Sequence, residues 1–164
     1  MAEESVGIGI KDNDIVIIGS GELRAGSCFA IDDFLGKYLD KSDGGKKITI
    51  DLSCCTYMDS TFIGFIISLV RKSERGRAAG VTVLNPSPSA VGSLKKLSAL
   101  PMLDLKEGSL PPDVKLFPLK KDQNSFEYKK NIELVFDAHV LLSELSEENR
   151  KEFADLIREL SKGL

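Results

Sequence analysis

The chain contains no tryptophan, a single histidine (His139) and three cysteines, Cys28, Cys54 and Cys55. One histidine among scattered cysteines cannot assemble the usual four-ligand zinc site. Three thiols, two of them adjacent, do not form a disulfide framework, since neighbouring cysteines rarely reach bridging geometry. Nothing basic flanks Cys54-Cys55 to lower a thiol pKa. The pair therefore reads as small buried side chains at a strand end. Long apolar runs are missing as well: the longest, Phe62 to Val70, is broken by Gly64 and Ser68 and falls far short of the roughly 18 residues a membrane span needs.

There is no excess of positive charge either. The formal net charge is −3, and the lysine pairs Lys46-Lys47, Lys95-Lys96, Lys120-Lys121 and Lys129-Lys130 are scattered, so the electrostatic footprint of a nucleic-acid binder is absent. The opening residues Met1-Ala2-Glu3-Glu4-Ser5 lack the basic and apolar regions of a signal peptide. No glycine loop of the phosphate-cradling kind occurs, and Asp32-Asp33, Asp12 with Asp14, and Glu147-Glu148 read as turn and helix-start charges. The resulting expectation is a cytoplasmic chain with reduced thiols, no cofactor or metal, no membrane or direct nucleic-acid partner, and no enzymatic activity.

What is present is an ordinary globular balance, 42% hydrophobic and 29% charged over 164 residues, enough for one core without metal or disulfide staples. Gly7 to Ile10 and Ile15 to Ile18 are β-like runs around the polar turn Lys11 to Asp14, an opening hairpin. Ile31, Phe34, Leu35, Tyr38 and Leu39 then recur at helical spacing. Lys47 to Leu52 reads as a strand with a β-branched centre, and a helix is predicted from about Ser60 to Glu74. Val81 to Leu84 is a further strand. Asn85-Pro86-Ser87-Pro88 opens a third helix that Pro101 closes. Val114 to Phe117, confined by prolines, reads as an edge strand. Strands alternating with helices at these lengths define an α/β chain with a mixed sheet.

The informative segment is Tyr57-Met58-Asp59-Ser60-Thr61-Phe62-Ile63-Gly64, between a buried strand and a helix that is apolar around most of its circumference. Asp59, Ser60 and Thr61 suit N-capping, because their oxygens can accept from the free N–H groups of the first turn. An exposed hydroxyl at a helix start is also a phosphoacceptor site, and the residue pattern leaves both readings of Ser60 open. Thr61, Gly64 and Ser68 form one narrow stripe of small residues that another backbone could approach closely.

This segment, preceded by the strand Ile48-Thr49-Ile50-Asp51-Leu52, resembles the core motif of STAS-domain anti-sigma-factor antagonists, usually Asp-Ser-(Ser/Thr)-Gly-(Leu/Ile)-Gly. Gly19-Ser20-Gly21-Glu22-Leu23 is similar to the family's Gly-Glu-Leu element. Val81 to Asn85, the helix after it and the Leu97 to Leu103 stretch fall in the family's order, so the resemblance spans about residues 6 to 118. It implies a bacterial regulatory module that binds an anti-sigma factor acting also as a serine kinase. That partner would phosphorylate Ser60, and a serine phosphatase would reset the cycle. Asp59, Thr61, Phe62, Ile63 and Gly64, with Glu22 and Arg24, match the partner-binding positions. Phe62 stands where the family usually has glycine, and Arg24 where an acidic residue is common. The alternative is a STAS scaffold or small-ligand sensor that is not phosphorylated.

Residues 119–164 lie outside that resemblance and read as a C-terminal helical extension to a 1–118 domain. Ile132, Val135, Phe136 and Leu142 lie near one stripe, with Leu134, Ala138, Leu141 and Leu145 beside it. Ser146 is an N-cap candidate ahead of Glu147 and Glu148, and Phe153, Leu156, Ile157 and Leu160 repeat at helical spacing. Two helices are expected. They either cover the domain's own surface or supply a homodimer or docking interface.

Overall fold

A computed structural model describes residues 3–12, 14–39, 46–76, 79–120 and 127–164. The elements run β1 (Ser5–Lys11), β2 (Asp14–Leu23), α1 (Ala25–Leu39), β3 (Lys47–Asp51), β4 (Cys55–Met58), α2 (Ser60–Glu74), β5 (Gly80–Leu84), α3 (Pro88–Lys96), β6 (Asp104–Lys106), β7 (Leu116–Pro118), α4 (Tyr128–Ser143) and α5 (Glu147–Ser161), with a short 3₁₀ turn at Leu100–Met102. The sheet order is β6-β5-β3-β2-β1-β7, and β4 extends it by pairing with the end of β2.

The sheet is mixed, as the alternation of strands and helices predicts. β1 pairs antiparallel with β2 and with β7. β2–β3, β3–β5 and β5–β6 are parallel, and each of these pairs is joined through a helical crossover. The central strands are continuous apolar runs: Ile15 and Ile17 of β2, Ile48 and Ile50 of β3, and Val83 of β5 are all buried. Such runs need cover on both faces or a twisted, well-packed one.

Two strands were not legible in the sequence. β4 is only four residues long, and its outward Thr56 and Tyr57 are exposed while Cys55 and Met58 are buried. β6 is three exposed residues held by parallel pairing to β5. The edge strand expected at Val114 to Phe117 forms slightly later, at Leu116–Pro118, opposite Gly7 to Gly9 of β1. The expectation for the two adjacent thiols needs correction. Cys55 opens β4 and is buried, but Cys54 sits in the turn before it and is exposed.

α2 explains the layering. It buries Thr61, Phe62, Ile63, Gly64, Phe65, Ile66, Ile67 and Leu69, so almost every side of it is covered. A helix apolar all round cannot be satisfied by a sheet on one side alone. α1 touches one flank of α2, and α4 lies across its outer side with α5 packed on α4. The C-terminal helices therefore close the core: Leu142 and Phe153 join the same buried cluster as Ile8, Leu52 and Ile66. Each such side chain contributes about 1.5–3 kcal/mol when fully buried.

The hairpin of α4 and α5 packs through the second of its two sequence stripes together with Leu142 of the first. Ala138 and Leu142 are buried, and Leu134, Leu141 and Leu145 pack against the core. Ser146 caps α5 as expected, accepting from the Asn149 N–H at 3.1 Å. Asn149 is then buried and donates from Nδ2 to the carbonyls of Leu97 and Leu142, each at 2.8 Å. One amide thus ties the start of α5 to the end of α4 and to the C-cap of α3.

Candidate functional site: the α2 start and its cover

The first turns of α1 and α2 lie side by side at the C-terminal ends of β2 and β4. The two strands are parallel there, with Glu22 opposite Tyr57 and Leu23 opposite Met58. A bulge between Gly21 and Glu22, with Gly21 at φ 75°, turns the end of β2 towards this junction. Left-handed backbone of that kind favours glycine.

Asp59 organises the junction. Its Oδ1 accepts the Phe62 N–H at 2.8 Å, which caps α2. Its Oδ2 accepts the Ala25 N–H at 3.1 Å, at the first residue of α1. One carboxylate therefore satisfies free donors on two helices. The acidic residue of the motif is a bracket between crossovers, and the sequence showed only half of that role.

Ser60 follows as the first residue of α2 and is half-buried. Its Oγ lies 2.8 Å from His139 Nε2 on α4. The other ring nitrogen, Nδ1, lies 2.7 Å from the Val135 carbonyl. A carbonyl can only accept, so Nδ1 carries a proton; in the neutral ring Nε2 then accepts and the Ser60 hydroxyl donates. His139 is 1% exposed, and its ring meets Phe153 edge-on at 5.0 Å between centroids.

One turn further along α2, Gly64 faces Ala138. A Cβ on Gly64 would lie 2.7 Å from the Ala138 Cβ, closer than carbon atoms pack. The small-residue stripe read from the sequence therefore receives a backbone, and that backbone is the chain's own α4. Two sites one helical turn apart on α2 meet two consecutive residues of α4.

The remaining expected site residues divide by exposure. Phe62 and Ile63 are each 1% exposed, within the domain's core, and Thr61 is buried. The phenyl ring in the family's glycine position thus fills interior space. Glu22 and Arg24 lie at the surface, 2.9 Å apart as an ion pair, and the Arg24 guanidinium sits 4.9 Å from the centroid of the exposed Tyr57 ring. The hydrogen bond to Glu22, helped by the nearby Tyr57 and Asp59, raises the Arg24 pKa further.

The sequence pointed to Ser60 but not to its partner. His139 was legible only as a surface or packed histidine within a helical apolar pattern, and nothing in the linear chain connects it to a serine 79 positions earlier. Two of the three thiols are buried. Burial, followed by the nearby Asp59 carboxylate, holds the Cys28 thiol well above its usual pKa, and burial raises Cys55 as well. Among the described residues no group of three or more His, Cys, Asp or Glu is placed to hold a metal, and no helix is long and apolar enough to cross a membrane.

The architecture is an α/β STAS-like fold, the fold of anti-sigma factor antagonists. SpoIIAA, an anti-sigma factor antagonist, in its unphosphorylated form, matches with a TM-score of 0.55 at 18% identity, over 63% of this chain and 88% of that one. A Thermotoga maritima protein provisionally assigned as an anti-sigma factor antagonist matches with a TM-score of 0.53 at 16% identity, over 62% and 85% of the two chains. No family profile and no curated protein sequence matches the chain. More than a third of the chain lies outside either structural match.

Proposed function

We propose that this chain is a regulatory, non-enzymatic binding module of the anti-sigma-factor-antagonist kind, working in the cytoplasm, and that phosphorylation of Ser60 switches it. Its partner would be an anti-sigma factor with serine kinase activity, and a serine phosphatase would reset it. The observation that carries this reading is the position of Ser60: first residue of the docking helix, beside the doubly capping Asp59. The exposed side of the junction, made by Glu22, Arg24 and Tyr57, supplies charged and aromatic groups for a partner. A phosphate on Ser60 adds about −1.5 to −2 charges next to the Asp59 carboxylate. A partner surface matched to the neutral serine would then be lost by repulsion and desolvation.

Phosphopeptide mapping of the protein from its native cells, with and without stress, tests the reading. The expected result is one phosphate, at Ser60. Capture with Ser60→Ala should retain a protein carrying a serine-kinase fold, and Ser60→Asp should release it. One observation favours the second reading, a STAS scaffold without phosphorylation: the Ser60 hydroxyl is already spent on a buried histidine. Absence of phosphate under every condition, with capture unaffected by Ser60→Asp, would establish that alternative.

A further inference from the structure

The face of α2 that begins at Ser60 is covered by α4, and the cover is fastened at the phosphoacceptor itself. We propose that α4–α5 is a lid latched by the Ser60–His139 hydrogen bond, and that phosphorylation of Ser60 releases it. The proposal rests on the reading of Ser60 as a phosphoacceptor and adds what the modification does to this chain.

The latch has three parts. Ser60 donates its only hydroxyl proton to His139 Nε2 at 2.8 Å, and the Val135 carbonyl at 2.7 Å from Nδ1 holds the ring in the matching tautomer. The ring is 1% exposed and closed on one side by Phe153, so no solvent shell is available on the α4 side for a dianion. The Gly64–Ala138 approach leaves no slack for α4 to slide outward while staying packed. Interfaces packed this closely are bistable, and do not deform gradually.

Phosphoryl transfer undoes all of this at one atom. The Ser60 Oγ bonds the γ-phosphorus of the kinase's nucleoside triphosphate, the nucleoside diphosphate departs, and the hydroxyl proton passes to the kinase's base. The donor to Nε2 is gone, and a bulky anion stands between Asp59 and the buried imidazole. Ser60 is half-buried, so it is the side of the phosphate facing α4 that gains hydration when the lid leaves. Its departure uncovers the Gly64 stripe of α2, which the closed form does not offer to any partner.

The sole histidine of the chain makes a direct reporter. Full-length protein carrying phosphoserine installed at position 60 is compared with the unmodified protein by amide hydrogen exchange and by ¹⁵N correlation of the imidazole. In the unmodified protein the imidazole should show the Nδ1–H tautomer alone. In the phosphoserine form it should show the averaged tautomers of a solvated ring, and the amides of α4 and α5 should exchange at least tenfold faster while those of β1, β2 and β3 keep their rates. Gly64→Ala opens the same lid without touching Ser60 and should speed the same amides. Unchanged protection of α4–α5 in the phosphoserine form overturns the proposal, and so does a protected, cationic His139 paired with the phosphate. Because the phosphate is installed, this outcome is independent of whether cells place one there. An open lid with no cellular phosphate refutes the acceptor reading alone; a closed lid with cellular phosphate refutes the latch alone.

Discussion

The sheet body and the C-terminal hairpin bury apolar side chains into one cluster, yet they are held by different means. In the body, Ile8, Ile17, Ile48, Ile50 and Ile66 are buried completely or nearly so and stand on paired strands and the helices they carry. Each contact there is reinforced by several others. The hairpin's second helix buries only Asn149 and Phe153, and Leu156 is 40% exposed. Its attachment combines the apolar packing of Ala138, Leu142 and Phe153 with a few specific contacts: Ser60 with His139, Gly64 with Ala138, and Asn149 with two carbonyls. The surface ion pair between Lys130 and Asp33, at 3.7 Å, adds little, as exposed pairs generally do. A region whose apolar packing is supplemented by a few polar contacts can be regulated through one of them; a region fastened by a distributed core alone cannot.

Three substitutions sharpen or break this contrast. Ile66→Ala removes a fully buried side chain from the middle of α2 and should cost about 2–5 kcal/mol. Urea unfolding followed by tyrosine fluorescence and by circular dichroism should show one shared, lowered midpoint. Asn149→Ala removes the side-chain donor from the Leu97 carbonyl and from the Leu142 carbonyl, which keeps the Leu145 N–H at 3.1 Å, a loss of about 1–3 kcal/mol. Hydrogen exchange should quicken in α4 and α5 and stay unchanged in β1, β2 and β3. A uniform acceleration across the chain would break the comparison, because the hairpin would then be no more separable than a strand.

The smallest effect is electrostatic. Partial burial and the neighbouring Glu133 raise the Asp137 pKa, with Lys72 opposing. Since the folded value lies above the unfolded one, folding favours the protonated form. That contribution is fully present below the ordinary aspartate range and is lost as pH rises through the raised value. Asp137→Asn should therefore give a small gain in melting temperature at neutral pH, shrinking towards zero as the pH is lowered into the aspartate range. An unchanged or lower melting temperature at neutral pH would show that the Lys72 attraction dominates across the α2–α4 contact.

Much of the body was legible from local chemistry. The opening hairpin, the helix over Ser60–Glu74, the Ser87-Pro88 start of α3 and the Ser146 cap of α5 all follow from turn, cap and periodicity signals of a few residues each. β4 and β6 were not legible, because strands of four and three residues carry no periodicity of their own and exist through pairing with β2 and β5. The exposed Cys54 was missed for a related reason: the Ser53-Cys54 turn is set by Asp51 Oδ1, which accepts from the Ser53 N–H at 2.9 Å and from its hydroxyl at 2.7 Å.

At the candidate site the same division holds. Sequence alone determined that a small polar cluster, Asp59-Ser60-Thr61, opens an apolar helix with a stripe of small residues, since capping and helical spacing are local properties of the chain. Tertiary structure alone decided that Asp59 caps two helices, that Phe62 faces inward, and that the stripe is filled by α4 with His139 seated on Ser60. Those outcomes depend on which faces meet across 34 and 79 positions of chain. Hydrophobic burial selects such meetings globally, by the total area removed from water, and no single segment carries that sum.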